Sequence, residues 1–100
     1  MAVAVYVVVH LDVRDAGWAA AYAGPTAALV KKHGGRYLVR AGRSKMSALE
    51  GTPRLSSVMV VVEFPDRAHA KAWYDDPDYQ PLIGLRNAGS RADILMVDGV

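Results

Sequence analysis

Residues 58–64, VMVVVEF, form an apolar run with a single acid before its last residue, and residues 3–11, VAVYVVVHL, form a similar run near the start of the chain. Each run is followed by sequence of helical character and then by a second strand-like segment, RYLVRA at 36–41 and DILMV at 93–97. Short apolar runs rich in β-branched residues favour strands. The chain therefore contains the same β-α-β pattern twice.

Two β-α-β halves in one small domain predict a split-βαβ, ferredoxin-like α+β fold in the order βαββαβ, with a four-stranded antiparallel sheet and helices on one face. A chain of 100 residues is long enough for one domain, which we assign to residues 1–100. This architecture carries many unrelated functions, so function has to be argued from individual side chains.

Both long strands alternate between two faces, because side chains in a strand point in opposite directions with a period of two. One face is apolar throughout and is expected to meet the helices. The other face is mixed but too apolar for water, and no helix remains to cover it, so we expect a homodimer that forms through this sheet face. The mixed face holds Ala4, Tyr6, Val8 and His10 in the first strand and Met59, Val61 and Glu63 in the other.

The first helix is predicted to begin near Asp15, which can cap free backbone N–H groups. It is predicted to end at Gly34-Gly35, since glycine accepts the left-handed conformation of a helix C-terminus. Pro25 lies inside this stretch and is expected to kink or break the helix. The predicted inward face carries Trp18, Tyr22, Pro25 and Leu29.

A second helix is predicted after Asp66 as N-cap, with Ala70, Trp73 and Tyr74 facing inward. Asp76 as cap and Pro77 at the first helical position predict a further short helix. That helix carries Tyr79, Leu82, Ile83 and Leu85. The polar residues 42–57 are interpreted as the connection between the halves, with an irregular edge segment.

Composition excludes several classes of protein. The chain has no cysteine, so it has neither a disulfide nor a thiolate metal site, and its three histidines show no metal-ligand spacing. We expect no metal and no cofactor. The first apolar run is too short for a membrane span and lacks the basic flank of a signal peptide, so we expect a cytoplasmic protein without a membrane partner.

A nucleic-acid partner is also not expected. RNA-recognition domains share this order of elements, but they stack bases on exposed aromatic residues of the central strands. The corresponding positions here are Met59, Val61 and Glu63, and the signature of those domains is absent.

A basic band between Lys31 and Lys45 contains half of all Lys and Arg residues and no acid. Such a band can attract an anion, or it can be a solvated edge strand whose charges discourage aggregation. Strict alternation would place Arg36 and Arg40 on one face, with Tyr37 on the other. With aromatic walls from the helices, these cations predict a pocket for a small anionic or aromatic molecule; surface ion pairs and plain core packing are the alternatives. The candidate ligand-binding residues are Tyr22, His33, Arg36, Arg40, Trp73, Tyr79 and Arg86.

Two of the histidines have structural interpretations beside functional ones. His10 could act as a base or could be a half-buried interface residue, and His33 could simply interact with the dipole at the helix C-terminus. His10 and Glu63 lie at the ends of antiparallel neighbouring strands. The two side chains are therefore expected to be about 20 Å apart within one subunit.

Several motifs together resemble one protein family. They are HGGRYLVR at 33–40, VEFP at 62–65, AWY at 72–74, PDYQPL at 77–82 and Arg86. In this order and spacing they resemble the DUF1330 family of the dimeric α/β-barrel superfamily, although Ala41-Gly42-Arg43 stands where the family usually has paired glycines. The resemblance implies a ferredoxin-like fold that pairs through its sheets into a barrel.

The resemblance implies no settled activity for the family itself. Superfamily relatives include cofactor-free monooxygenases, lactone isomerases and haem-degrading enzymes, and none of their catalytic residues can be placed on this chain. Two function classes remain open. One is a protein that binds or transforms a small molecule in a pocket between sheet and helices, and the other is a non-catalytic dimeric regulatory or interaction module. An open cavity favours the first class and a fully packed core favours the second.

Overall fold

The computed structural model describes residues 3–100. Its chain contains four strands and three α-helices within those residues, together with a short 3-10 turn at Arg43–Lys45. In chain order the elements are β1 (Val5–Val13), α1 (Ala19–Lys32), β2 (Arg36–Gly42), β3 (Val58–Phe64), α2 (Arg67–Asp75), α3 (Gln80–Gly89) and β4 (Ser90–Asp98).

The strands form one antiparallel sheet in the order β2-β3-β1-β4. The two apolar runs lie side by side at its centre, where Val7 pairs with Val62 and Val8 pairs with Val61. This is the ferredoxin-like arrangement, and the predicted fold class is confirmed. β1 runs past the predicted segment to Val13 and β4 begins before it at Ser90, because the antiparallel ladder between them continues to the pair Val13 and Ser90.

The helices cover one face of the sheet, which we call the helix face. Its central residues include Val5, Val7 and Phe64, all of which are buried. They pack with α1 and α2 around a single apolar core. The opposite face, which we call the outer face, is only half-buried along β1. The predicted division between an apolar inner face and a mixed outer face is therefore confirmed.

The start of α1 differs from the prediction. The carboxylate of Asp15 accepts from the backbone N–H of Gly17 at 2.9 Å and so caps a turn, and the helix begins only at Ala19. Pro25 neither breaks the helix nor faces inward, since α1 runs through it and its side chain is exposed. A proline on the solvent side removes one hydrogen bond, and water can satisfy the carbonyl left free at Ala21, which is also exposed. Thr26 takes the buried position instead.

The end of α1 follows the prediction in detail. Gly34 has a φ of 79°, and its N–H donates to the carbonyl of Lys31 at 3.0 Å. Gly35 donates to the carbonyl of Val30 at 2.8 Å. These two bonds form the Schellman motif that satisfies the last carbonyls of a helix.

Asp66 caps α2 as predicted and accepts from the N–H of His69 at 2.8 Å. The prediction that Tyr74 faces inward is wrong, because the residue is 37% exposed. Asp76 does not start the next helix: it accepts from the N–H of Asp78 at 2.9 Å in a local turn. α3 begins at Gln80, where Pro81 lies in the first turn.

β2 contains a bulge that the sequence does not predict. Tyr37 pairs with Val62, yet Val39 pairs with Val61, so Leu38 is the extra residue on this edge strand. A one-residue slip moves all later side chains to the other face. Arg40 therefore lies on the helix face beside Tyr37, and the prediction that Arg36 and Arg40 share a face is wrong.

The connection between the halves forms no further strand within residues 46–57. Arg54 fixes it to the sheet through ion pairs with Asp12 of β1 and Asp93 of β4. Among the helices of residues 3–100, none combines the length and the apolar character needed to cross a bilayer.

Candidate functional site

A cavity of about 310 Å³ lies between the helix face of the sheet and the three helices, and we call it the main cavity. Its volume is at the lower end of the range for small-molecule sites. Valine and leucine side chains of β1 and β3 form its floor, while aromatic residues of the helices form its walls. The residues that define it include Val9, Leu11, Trp18, Tyr22, Thr26, Tyr37, Arg40, Val60, Trp73, Tyr79 and Arg86.

Three polar side chains meet in this apolar lining and form what we call the Tyr22–Tyr79–Arg86 cluster. The two tyrosine hydroxyls are 2.7 Å apart. Arg86 donates from Nη1 to both of them, at 3.1 Å to Tyr79 and 3.2 Å to Tyr22. Tyr22 lies in α1, whereas Tyr79 immediately precedes α3 and Arg86 lies in the last turn of that helix, so the fold brings the cluster together from two distant parts of the chain.

Arg86 is 4% exposed, and no carboxylate among the described residues pairs with it. Its Nη2 reaches only the side-chain oxygen of Asn87 at 3.4 Å, and its Nε has no partner. Burial raises the pKa of Tyr79, so that hydroxyl stays neutral and does not balance the charge. A buried cation without a counterion is unfavourable, so the cluster carries a positive charge that the described side chains do not balance.

The unpaired donors are concentrated at the same place. Among the described residues, four buried side-chain polar atoms lack a hydrogen-bond partner: Nε1 of Trp18, Oγ1 of Thr26, Nε1 of Trp73 and Nε of Arg86. All four residues line the main cavity. Buried polar groups are nearly always paired in folded proteins, so this clustering distinguishes the cavity from ordinary core.

Arg40 contributes a second cation to the cavity lining. Its guanidinium lies 4.7 Å from the ring centroid of Tyr37, within the range of a cation–π contact. Burial raises the pKa of the Tyr37 hydroxyl. The bulge at Leu38 produces this arrangement, because it moves Arg40 to the face that Tyr37 already occupies.

The structure therefore unites five of the seven candidate residues and separates two. Tyr22, Arg40, Trp73, Tyr79 and Arg86 all line the main cavity. Two others, His33 and Arg36, do not.

His33 binds Asp76, with its Nε2 2.8 Å from Oδ2, and Lys32 donates to the same oxygen at 3.0 Å. These contacts and the N–H of Asp78 hold the pKa of the Asp76 carboxyl well below its usual range. The trio ties the end of α1 to the turn before α3. His33 thus lies outside the main cavity and links α1 to that turn.

Arg36 lies on the outer face and donates from Nε to Glu63 at 2.7 Å, while Tyr6 donates to the other oxygen of that carboxylate at 3.0 Å. The hydrogen bond from Arg36 is the main cause of the lowered pKa of the Glu63 carboxyl. His10 pairs with Met59 in the ladder and contacts Ser56, so within one chain it is separate from Glu63, as predicted.

Three polar residues that line the cavity were not among the seven candidates predicted from the sequence. They are Trp18, Thr26 and Tyr37. Thr26 stands four residues after Tyr22, and that spacing was the available signal for a shared helical face. Strict alternation separates Tyr37 from Arg40, so without the bulge the sequence does not predict that the two side chains share a face. Within residues 3–100, no group of three acidic or histidine side chains is arranged to hold a metal ion.

Comparison with known proteins places the chain by sequence and by fold. A family model described as a domain of unknown function, DUF1330, matches residues 4–100. No curated protein matched the sequence.

Several solved structures share the fold at low sequence identity. A protein of unknown function from Rhodopseudomonas palustris has a TM-score of 0.80 at 15% identity, over 100% of this chain and 85% of that one. A dimeric ferredoxin-like protein of unknown function from a Jannaschia species has a TM-score of 0.70 at 16% identity, over 96% and 99% of the two chains. SnoaB from Streptomyces nogalater, a cofactor-independent oxygenase, has a TM-score of 0.69 at 15% identity, over 99% and 95%. At these identities the likeness concerns the fold alone.

Proposed function

Because this chain belongs to the DUF1330 family, whose function is unknown, we propose a function from its own geometry: it binds a small ring-shaped molecule that carries an anionic group, in the main cavity. The observation that carries the proposal is Arg86. Its guanidinium is buried, donates to two tyrosine hydroxyls and has no carboxylate partner among the described residues. A ligand anion would supply the missing charge.

The walls of the cavity support a ring as the rest of the ligand. Trp73 and Tyr79 lie 4.6 Å apart between centroids, and Trp18 meets Tyr22 edge-on at 5.3 Å. Aromatic and valine surfaces favour a flat apolar molecule through burial and ring contacts. An open cavity also supports ligand binding over the alternative of a fully packed interaction module.

A panel of ring compounds tests the proposal. Benzoate, 1-naphthoate, 2-naphthol and uncharged 1-naphthalenemethanol would be titrated into wild type, Arg86→Met and Arg67→Met, with binding read by calorimetry. Arg67 is a matched control, since it lies on the surface of α2 and pairs with Asp98 at 2.8 Å. We expect the anionic compounds to bind wild type and the control alike, and to bind Arg86→Met about tenfold more weakly. Absence of binding to wild type across the panel would remove the proposal.

We propose further that the functional unit is a homodimer formed through the outer face. Leu95 is 54% exposed and Val97 is 46% exposed, and both lie on this face beside half-buried Val8 and Val61. An apolar patch of this kind within the mixed outer face indicates an interaction surface. The dimeric description of the Jannaschia neighbour agrees with a second copy as its cover.

Chemical transformation of the ligand is the second candidate function. Among the described residues that line the main cavity, none is His, Asp or Glu. The protein would therefore supply position and charge, and the reactivity would come from the ligand. A ligand that is reactive once ionised fits this requirement, and SnoaB shows that the fold accommodates oxygenase activity without a cofactor. Oxygen uptake on addition of an electron-rich naphthol, with Arg86→Met as the comparison, tests this candidate.

A further inference from the structure

The hydrogen-bond inventory of the Tyr22–Tyr79–Arg86 cluster specifies the ligand more narrowly. Two tyrosine hydroxyls carry two hydrogens, and one of them lies in the 2.7 Å bond between the two oxygens. The other finds no acceptor among the described residues. Arg86 adds an unpaired Nε–H, and both indoles add an unpaired N–H. The cavity therefore has a surplus of donors and a net positive charge, which is complementary to an acceptor-rich anion.

Arg86 is not free to hold a carboxylate with both of its terminal nitrogens. Nη1 already donates to the two hydroxyls, and Nη2 is directed to Asn87. An open guanidinium fork is the arrangement that binds both oxygens of a carboxylate. The N–H groups left to a ligand are Nε–H and one hydrogen of Nη2, next to the tyrosine hydroxyls, so discrimination between a carboxylate and a single oxyanion comes from the apolar lining.

The apolar lining also discriminates between kinds of anion. Moving a compact, strongly hydrated charge out of water is costly unless it is fully paired. An oxyanion attached directly to a ring or an enone spreads its charge over the apolar part of the molecule, so it loses less on entering a cavity lined by valines and aromatic rings. Arginine is itself a delocalised and weakly hydrated cation, and suits such a partner.

We propose that the main cavity selects the ionised form of a phenol or enol, with its oxyanion held beside Arg86 and the tyrosine hydroxyls and its ring against Trp73. This inference rests on the proposed function and names its ligand class. On ionisation the O–H bond of the ligand breaks, the electron pair stays on oxygen, and the proton passes to solvent water. No base of the protein is required for that step, in keeping with a cavity whose described lining contains no His, Asp or Glu.

Three probes of one shape test the inference: 4-nitrophenol, which ionises; 4-nitroanisole, its methyl ether, which cannot; and 4-nitrobenzoate, a carboxylate. The absorbance of 4-nitrophenol distinguishes phenol from phenolate while it is bound. We expect the 100-residue protein to bind the phenolate about tenfold more tightly than the phenol and the ether, so that bound probe ionises at a lower pH than free probe. Arg86→Met should lose this preference and still bind the ether, which shows that its cavity is intact.

Each other result has a defined meaning. Binding of all three probes with equal affinity, tighter binding of 4-nitrobenzoate, or bound 4-nitrophenol that stays protonated would overturn the inference and leave the proposed function standing. Binding of none would remove both. If Arg86→Met does not fold, Tyr79→Phe provides the second variant: it keeps the cation and removes one hydroxyl, and should reduce the preference for phenolate without abolishing it.

Discussion

Nη1 of Arg86 donates to the hydroxyl of Tyr79 over 3.1 Å, and both side chains are buried, with Tyr79 just before α3 and Arg86 in its last turn. The bond is local in sequence, but its surroundings are not. Tyr22 of α1 completes the group from more than fifty residues away along the chain, at 2.7 Å from Tyr79. The cluster therefore depends on the packing of α1 against α3, and its stability reports on that contact.

Removing the Tyr79 hydroxyl should weaken the fold. Tyr79→Phe leaves the ring in place and withdraws an acceptor from a buried guanidinium and a partner from Tyr22. A lost hydrogen bond to a buried charge costs about 1–3 kcal/mol. Urea unfolding monitored by circular dichroism measures the change. The matched control is Tyr74→Phe, on an exposed tyrosine of α2, and a loss as large in the control would contradict the assignment.

Arg86→Met should weaken ligand binding without a matching loss of stability. The substitution removes a buried charge that has no carboxylate partner, and the two hydroxyls can still bond to each other. We expect the free energy of unfolding of the ligand-free protein to stay within about 1 kcal/mol of wild type or to rise. A loss above about 3 kcal/mol would show that the cation holds the fold together, and would argue against a site kept for a ligand.

Trp73 is a large buried side chain of the core between the sheet and the helices. It is 3% exposed and packs against both Phe64 and Tyr79. Truncation to alanine should cost about 3–5 kcal/mol, because it removes buried surface and enlarges a cavity that already exists. Chemical denaturation provides the value, and a loss below about 1 kcal/mol would mean that the indole contributes little to the core.

The outer face should mediate dimerisation. Val8→Asp places a charge at the centre of this face, where Val8 pairs with Val61 and Leu95. A stable pair should bury roughly 1,200–2,000 Å² in total. Sedimentation at micromolar concentration is expected to show a dimer for wild type and a monomer or unfolded chain for the variant. Ala72→Asp adds the same charge on the exposed side of α2 and should remain dimeric; a monomeric wild type would contradict the prediction.

Stability should fall in acid through Asp76. Contacts with His33, Asp78 and Lys32 lower its pKa in the folded state. The unfolded chain therefore takes up the proton first, so the contribution of Asp76 is complete above about pH 4 and is lost as the pH falls below that value. Between pH 6 and pH 3, wild type should lose more unfolding free energy than Asp76→Asn. Equal losses of unfolding free energy in the two proteins would show that Asp76 does not cause the acid sensitivity.

The fold could be predicted from the sequence because hydrophobic periodicity and turn-forming residues are properties of short segments. Alternation in VMVVVEF and VAVYVVVHL is a property of neighbouring residues, and so are the cap at Asp66 and the glycine ending of α1. The site was harder to predict, since it depends on one extra residue. The bulge at Leu38 leaves no mark in the composition, yet it decides that Arg40 faces the cavity while Arg36 pairs with Glu63. Likewise, nothing in the sequence shows that Arg86 lacks a carboxylate, because that depends on the packing of distant elements.

The central claim is that an anionic ring compound occupies the cavity beside Arg86, and the two tryptophans of the chain test it directly. Trp18 and Trp73 both line the cavity, and each has an unpaired indole N–H. Titration of ¹⁵N-labelled protein with 4-nitrophenolate should shift both indole N–H resonances along one saturable curve, with about tenfold weaker binding in Arg86→Met. Indole resonances that do not move, or that move with equal affinity in both proteins, would contradict the account.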